Sequence, residues 1–468
     1  MYKKIKDGIL WTFFGNLVKG GSGILLISIL SRELGPEKIG LIGILSVIYG
    51  LCETLLDFGV SQSIVSKKSV EKNELSSLFW LNQGLGLILF VAIYFLADPI
   101  ADFIGYVEIS KMIKILSIVF IIEPIDLVFQ AILQKNMNFK VLESVSVIKQ
   151  FSVLISTLLF LNFNLGIASY VCGIVAGAFV DACLLFRYFL KNKLWMPNFH
   201  FRLSECKKHL RFGFYTTLKS FLNFAGTNLD QIIVAKVFSI EVLGLYYFSK
   251  KIIEQPISFI TSSFSKISFP LYSRMKKDHD IKNVYELLTK KISLIGFPIL
   301  SIAFVFSPYL VELFFGNKWL ESVELIRLFL IVGAIQIISV GFSSSVILSK
   351  DKPKELFLTD LFFTPTRLFL IFLSSLYSIK ATIIFYMLIM LIKSIYLQSK
   401  TNKLINLSFK EYFSQLKNPI IISVVYIFLA EISNNFYASL IITTAIFYVI
   451  LNELLKKDME KILNKIEV

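Results

Sequence analysis

Apolar residues run along this chain in blocks of about twenty, set apart by short lysine-rich connections. A helix needs about 20 predominantly apolar residues to cross the hydrocarbon core of a bilayer. By that measure the pattern predicts fourteen spans, at 9–30, 39–64, 77–97, 112–133, 141–161, 166–189, 212–235, 242–270, 292–315, 322–348, 356–377, 379–399, 419–433 and 437–455. The longest connections, 190–211, 271–291 and 400–418, are each about 20 residues long, which leaves no room for a soluble domain. The fold class is therefore all-α, a polytopic membrane protein of about 14 helices. Lys3, Lys4 and Lys6 precede an apolar run that continues to about Leu30 with no small-residue cleavage site, so the first block reads as a retained helix rather than a signal peptide.

Composition agrees. Of 468 residues 55% are hydrophobic and 17% charged, against roughly 25% charged in soluble domains. Lysine and arginine outnumber aspartate and glutamate by 48 to 33, a net charge of +15. On a soluble protein such an excess would suggest nucleic acid. Sorted by position, thirty-two of the basic residues fall on the connections that share a side with the N-terminus, eight on the opposite side and eight within spans. The positive-inside rule then places both termini in the cytoplasm, and no nucleic-acid partner is expected. Cys52, Cys172, Cys183 and Cys206 share no metal-like spacing, and His200, His209 and His279 all lie outside the apolar runs, so no metal site is expected. Trp80, Trp319 and Tyr412, near span ends, fit interfacial anchoring.

The chain also overlies itself at a shift of 204. Leu34-Gly35-Pro36-Glu37-Lys38-Ile39-Gly40-Leu41 falls on Phe238-Ser239-Ile240-Glu241-Val242-Leu243-Gly244-Leu245, sharing E-x-x-G-L, and Thr12, Leu25 and Ile29 match Thr216, Leu229 and Ile233. Each match sits in the same corner, from the first helix of a six-helix set into the second. The expected organisation is an N-terminal lobe at 1–189, a basic linker at 190–211, a second six-helix lobe at 212–400, and an extra helix pair with a basic tail at 401–468. Parallel repeats of this kind imply two bundles about a pseudo-two-fold along the membrane normal, with a cavity between them. The linker, where Leu194, Trp195, Phe199, Phe201 and Leu203 intersperse the charges, reads as an amphipathic interfacial helix.

The same corner resembles a known family. Arg32, Gly35, Pro36, Glu37 and Gly40 fall in a stretch similar to the R-x-L-G-P-x-x-x-G turn of polysaccharide transporters, within the multidrug/oligosaccharidyl-lipid/polysaccharide exporter superfamily. Asp57-Phe58-Gly59 resembles that family's D-x-G signature, and Asn228-Leu229-Asp230-Gln231 with Leu243-Gly244-Leu245-Tyr246 its second-half counterpart. The resemblance implies a flippase that moves an undecaprenyl-pyrophosphate-linked oligosaccharide from the inner to the outer leaflet by alternating access. Membrane lipids, a polysaccharide polymerase and assembly proteins are its expected partners. In physical terms, Gly35-Pro36 stops a helix and Arg32 suits its C-terminal dipole.

Charge within spans is costly and normally faces a cavity or a partner. Lys219, Asn223, Gly226 and Asp230 form one helical stripe, as do Ser46, Gly50, Glu53 and Asp57, and Glu123, Asp126, Gln130 and Gln134 around Pro124. Lys19, Lys149, Lys219 and Lys250 are the first candidates for holding the pyrophosphate, followed by Lys251 and Arg367. Internal neutralisation is the alternative, Lys250 with Glu254, or Lys219 with Asp57 or Asp230. Asp57, Glu123, Asp126, Asp181 and Asp230 are candidates for a coupling proton or sodium ion, with structural pairing equally open; no other cofactor is expected. Gly173 and Gly177 form a small-residue face for close helix packing.

Enzyme signatures fail on context. Asp278-His279-Asp280 lies in a lysine-rich connection with no domain to hold a nucleotide sugar, His200 with Glu205 reads as chance, and Gly20-Gly21-Ser22-Gly23 lacks the strand and GK[ST] of a phosphate loop. The alternatives are an ion-coupled multidrug exporter or a peptidoglycan-precursor flippase of the same superfamily, and then an integral polymerase or ligase. A drug exporter for cations would favour acids over lysines, and a polymerase or ligase a longer extracytoplasmic loop. The topology is tested by single cysteines in a cysteine-free background. A probe that does not cross membranes should label position 318 in intact cells and positions 68 and 276 only after permeabilisation; the reverse at 318 breaks the span count.

Overall fold

The structure, a computed structural model, describes residues 2–67, 69–275, 277–433 and 439–444. Among the described residues every regular element is a helix, with no strand. Nine helices among those residues are long and apolar enough to cross a membrane, or ten when the bent pair Glu108–Ile122 and Pro124–Lys135 counts as one broken span. The first of the nine, Trp11–Leu56, has 46 residues. At 1.5 Å per residue it runs about 69 Å, twice the bilayer core, so it supplies two crossings. The expected spans at 212–235 and 242–270 are also helical, but their polar stripes keep them outside the apolar nine. The fourteenth, 437–455, and the basic tail lie outside the described residues apart from 439–444.

The chain divides into two compact units, Met1–Tyr247 and Phe248–Val468. The first holds α1 (Tyr2–Leu56), α2 (Val60–Ser66), α3 (Lys72–Ile104), α4 (Glu108–Ser117), α5 (Val119–Ile122), α6 (Pro124–Lys135), α7 (Phe139–Asn162), α8 (Ile167–Lys191), α9 (Leu203–Asn228), α10 (Asp230–Val237) and the start of α11 (Ile240–Arg274). The second holds the rest of α11, then α12 (Asp278–Phe315), α13 (Ser322–Ser349), α14 (Pro353–Ser375), α15 (Ile379–Ile405) and α16 (Phe409–Ser433). The boundary falls inside α11, past the linker at 190–211, because the corner that opens α11 packs against its counterpart in α1.

That packing is reciprocal. Gly35, at φ 74°, breaks α1 in the left-handed region that favours glycine, and Pro36 restarts the helix. A Cβ on Gly40 would be driven into the carbonyl of Ile240 and lie 3.0 Å from the amide nitrogen of Gly244. A Cβ on Gly244 would be driven into the carbonyl of Pro36 and lie 3.1 Å from the nitrogen of Gly40. At a shift of 204, Gly40 corresponds to Gly244 and Pro36 to Ile240, so the two contacts exchange under the repeat. Gly43 meets Tyr247, its own equivalent. Self-matched contacts of this kind are the signature of a two-fold axis. The sequence's glycines at this corner thus serve backbone-to-backbone approach as well as turn geometry.

Elsewhere in the first unit α1 ends at Leu56, and Phe58 and Gly59 carry positive φ before α2 begins. Asp57 Oδ1 accepts from the backbone and hydroxyl of Ser61, at 2.9 and 2.5 Å, and Gly213 of α9 crosses the break against the carbonyl of Phe58. Gly173 and Gly177 admit Thr157 and Val153 of α7, the close packing their spacing predicts.

The linker is not an interfacial helix: from the end of α8 to Arg202 it runs without helix. Pro197 restricts its own backbone and that of Met196, and the polar groups that a helix would have paired are fixed by α3 instead. Trp195 Nε1 donates to the carbonyl of Lys72 at 3.1 Å, Trp80 Nε1 to that of Asn198 at 2.8 Å, and the amide of Arg202 to Ser77 Oγ at 3.1 Å. His200 and Ser77 both bond Glu205, at 3.0 and 2.7 Å, and hold its carboxyl below the usual range; the spacing that reads as chance is a real pair. Beside the strap, buried His209 sets Nδ1 2.6 Å from Ser63 Oγ and Nε2 2.8 Å from Glu74, and desolvation holds the imidazole below its ordinary range.

In the second unit Trp319 and Tyr412 are buried rather than interfacial. Trp319 packs against Phe248 with ring centroids 4.1 Å apart, and Tyr412 donates to the carbonyl of Ile338 at 3.3 Å. Tyr285, Ser343 and Gln398 hydrogen-bond across α12, α13 and α15, and Asp278 of the rejected D-x-D triplet pairs with Lys350. Large apolar side chains such as Phe95, Phe362 and Phe428 point outward, as a lipid-facing surface requires.

Replacing Gly40 or Gly244 by valine should cost about 1–3 kcal/mol by overpacking and lower the thermal midpoint of the purified protein. Gly84→Ala, which meets nothing within 4 Å, should leave it unchanged; equal behaviour of the three would remove the packing argument.

Candidate functional site

Helix breaks place charge inside the first unit. Pro124 cannot donate an intrahelical hydrogen bond, and α5 and α6 bend by 45° at Glu123. The bend turns Glu123 toward Lys149 of α7, 3.0 Å away, and toward Tyr49 of α1, whose hydroxyl donates to the same carboxylate oxygen at 2.6 Å. Asp181 of α8 reaches Lys149 at 3.5 Å. Asp126 is 2% exposed; its Oδ1 accepts from Gln130 at 3.0 Å, and its Oδ2 has no partner beyond the neighbouring Asp181 carboxyl. Glu53, one turn on from Tyr49, lies within electrostatic reach of Glu123 and Lys149. Four helices thus bring four carboxyls around one ammonium group. Glu123 and Asp181 side chains are 6% and 4% exposed, while Lys149 is 27% exposed and forms the open side of the cluster.

A second pair stands apart. Lys19 of α1 meets Glu143 of α7 at 3.0 Å, and Gly15, one turn earlier, leaves the space that the Glu143 carboxylate enters. Lys219, by contrast, is exposed and has no ion pair among the described residues, and neither Asp57 nor Asp230 neutralises it. Asp57 is bonded to Ser61, and buried Asp230 accepts from the Tyr246 hydroxyl at 2.5 Å. The break after Asn228 divides the stripe of α9, leaving Lys219 and Asn223 exposed and Asp230 within the protein.

In the second unit Lys250 is buried and lies 3.9 Å from Glu254, the neutralisation that its spacing allows. Lys251 is half-buried, with no ion pair among the described residues. Arg367 is buried on α14 beside Tyr386 and Met390 of α15.

Of the sequence candidates, the structure brings Lys149 together with Glu123, Asp126 and Asp181; Lys19, Asp57 and Asp230 have separate partners. Glu143, Tyr49 and Asp360, which pairs with Lys393 at 2.7 Å, were not singled out by the pattern. Tyr49 was legible as the i−4 neighbour of Glu53. Glu143 was legible only as an acid near the start of the 141–161 span.

A sequence profile described as "Polysaccharide biosynthesis protein" matches residues 29–324. The chain is 30% identical over 344 residues to the lipopolysaccharide biosynthesis protein WzxC of Escherichia coli K12, covering 72% of this chain and 68% of that one. It is 25% identical over 366 residues to the teichuronic acid biosynthesis protein TuaB of Bacillus subtilis 168, covering 76% and 74%. Among solved structures, the lipid II flippase MurJ in an inward closed conformation superposes with a TM-score of 0.78 at 16% identity, covering 94% of this chain and 97% of that one. This last likeness concerns the fold.

Removing one partner of a buried ion pair leaves the other uncompensated. Lys149→Met should therefore destabilise the protein by about 3 kcal/mol, and Glu123→Gln in the same chain should recover part of the loss. Additive losses in thermal midpoints across the double-mutant cycle would show that the two side chains do not depend on each other.

Proposed function

Since the chain belongs to the polysaccharide biosynthesis protein family and is a multi-pass membrane protein, we propose that it is a flippase for an undecaprenyl-pyrophosphate-linked oligosaccharide. The lipid-linked unit passes from the inner to the outer leaflet of the cytoplasmic membrane by alternating access, with both termini in the cytoplasm. The observation that carries this reading is a set of cations at span positions with no carboxylate at ion-pair distance. Lys219, Lys251 and Arg367 have no carboxylate partner among the described residues, while Glu123, Asp181 and Glu143 are already matched to lysines. An exposed ammonium such as Lys219 offsets the desolvation of a pyrophosphate that must cross a low-dielectric region. A carrier of cationic drugs would instead need a carboxylate as exposed as Lys219 is.

The names of the relatives, which place them in lipopolysaccharide and teichuronic acid biosynthesis, support the substrate class. A polysaccharide polymerase and assembly proteins are the expected partners on the far side. For coupling, the cluster at Lys149 favours a proton over sodium: Glu123 and Asp181 are already matched to the Lys149 ammonium, at 3.0 and 3.5 Å. Buried Asp126 beside them keeps one carboxyl oxygen without a hydrogen bond, and the open side at Lys149 gives the proton a route.

Proteoliposomes loaded with a fluorescent undecaprenyl-pyrophosphate oligosaccharide test both parts. Lys219→Glu should lower the flipping rate at least tenfold with the protein still inserted, and Lys318→Gln should leave it unchanged. Collapsing an imposed pH gradient should slow the wild-type protein, and Asp126→Asn should make the rate indifferent to the gradient. Full flipping by Lys219→Glu would overturn the cationic reading, and gradient-independent wild-type flipping the proton.

A further inference from the structure

The strap between α8 and α9 carries apolar side chains that the first unit leaves uncovered. Phe199 is 99% exposed, more than any other large apolar side chain among the described residues. Phe201 and Leu203 are exposed as well. Arg202 between them has extended backbone, in which residues two apart share a face. His200 is turned the other way, to its hydrogen bond with Glu205. The bonds from Trp80, Trp195 and the Arg202 amide pin the strap to α3 on both sides of Phe199, so the exposed row is held in place.

Two observations say what covers this row. The first is continuity with the lipid-facing surface. Phe199 stacks on Trp80 of α3, with ring centroids 5.6 Å apart and planes at 20°. Trp80 heads a helical stripe in which Leu87, Ile88, Val91 and Phe95 follow on the same face, all exposed. The row therefore extends the apolar face of a membrane helix at its end, the depth at which aromatic rings mark the boundary with water. The second is charge. Lys191, Lys193, Arg202, Lys207 and Lys208 are exposed, and none has an ion pair among the described residues. The one carboxylate in residues 191–211, Glu205, is already held by His200 and Ser77. We infer that the strap is a docking site for the anionic phospholipid surface of the adjoining leaflet. Phe199, Phe201 and Leu203 enter the acyl boundary, and the cations meet the headgroup phosphates. A soluble partner would have to approach the row where the bilayer already stands. Since the strap is pinned beforehand, the contact avoids the ordering cost of a segment that folds on the membrane. The site needs only a chain that spans a bilayer and does not rest on the transport reading.

Two measurements on the full-length chain test this, with no transport needed. The first uses nanodiscs made from equal parts of phosphatidylcholine and phosphatidylglycerol. A nitroxide on Phe201→Cys, in a cysteine-free background, reports depth there and leaves Phe199 in place. Its collisions with oxygen, which partitions into lipid, should exceed those with a water-soluble nickel chelate. The reverse order, or shielding from both reagents, leaves the strap to a protein partner or a second copy and overturns the inference. The second follows thermal midpoints in nonionic detergent as either lipid is added. Phosphatidylglycerol should raise the wild-type midpoint saturably and phosphatidylcholine only weakly, since a ligand bound by the folded state alone stabilises it. Arg202→Gln, Lys207→Gln and Lys208→Gln together should raise the half-saturating concentration of phosphatidylglycerol about tenfold. Phe199→Ser should weaken the response to both lipids and leave the lipid-free midpoint in place. Equal responses of the wild type to the two lipids, or an undiminished preference in the triple variant, overturn the inference. Where the triple variant does not fold, the nitroxide decides.

Discussion

An ionised side chain in a bilayer must be neutralised where it stands, because no water is at hand to solvate it. Most of what distinguishes this protein from a plain bundle of apolar helices follows from that constraint. Lys149 holds together helices far apart in sequence because Glu123 and Asp181 need its charge. Lys19 ties the first helix to the seventh through Glu143. The bend at Pro124 directs Glu123 into the cluster. The carboxyl and ammonium groups thus act as cross-links in a setting where hydrophobic contact gives little preference for one helix neighbour over another.

Against that background, the basic residues without carboxylates among the described residues differ in their surroundings. Lys219 is exposed on α9, whereas Arg367 is enclosed beside an aromatic ring and a thioether. An open ammonium suits a large, hydrated head group that comes and goes.

The helices themselves were legible because a bilayer imposes one length and one composition on every crossing. The break at Gly35-Pro36, the bend at Pro124 and the small face of Gly173 and Gly177 were legible because each depends on local backbone chemistry. Partnerships were less so. Lys250 with Glu254 is an i,i+4 pair and could be read from spacing, whereas Lys19 with Glu143 joins residues 124 apart and leaves no periodic trace. The linker shows the opposite failure: its alternation of apolar and basic residues resembles an amphipathic helix, but Pro197 and the polar side chains of α3 hold it as an extended strap. Trp319 likewise carries the composition of an interfacial anchor and is fully buried against Phe248, a tertiary fact invisible in its neighbours along the chain.

The exchange of contacts between Gly40 and Gly244 bears on how such a chain could arise. A patch that fits its own copy is what two identical half-length polypeptides would use to form a dimer. Joined by duplication, the halves keep as an internal seam what had been a subunit boundary. Drift in the two copies is then unequal: residues away from the seam are free to diverge, as Lys19 and Asn223 differ, while those on the seam constrain one another. The glycines survive on both sides because neither half can enlarge its part of the seam without displacing the backbone of the other.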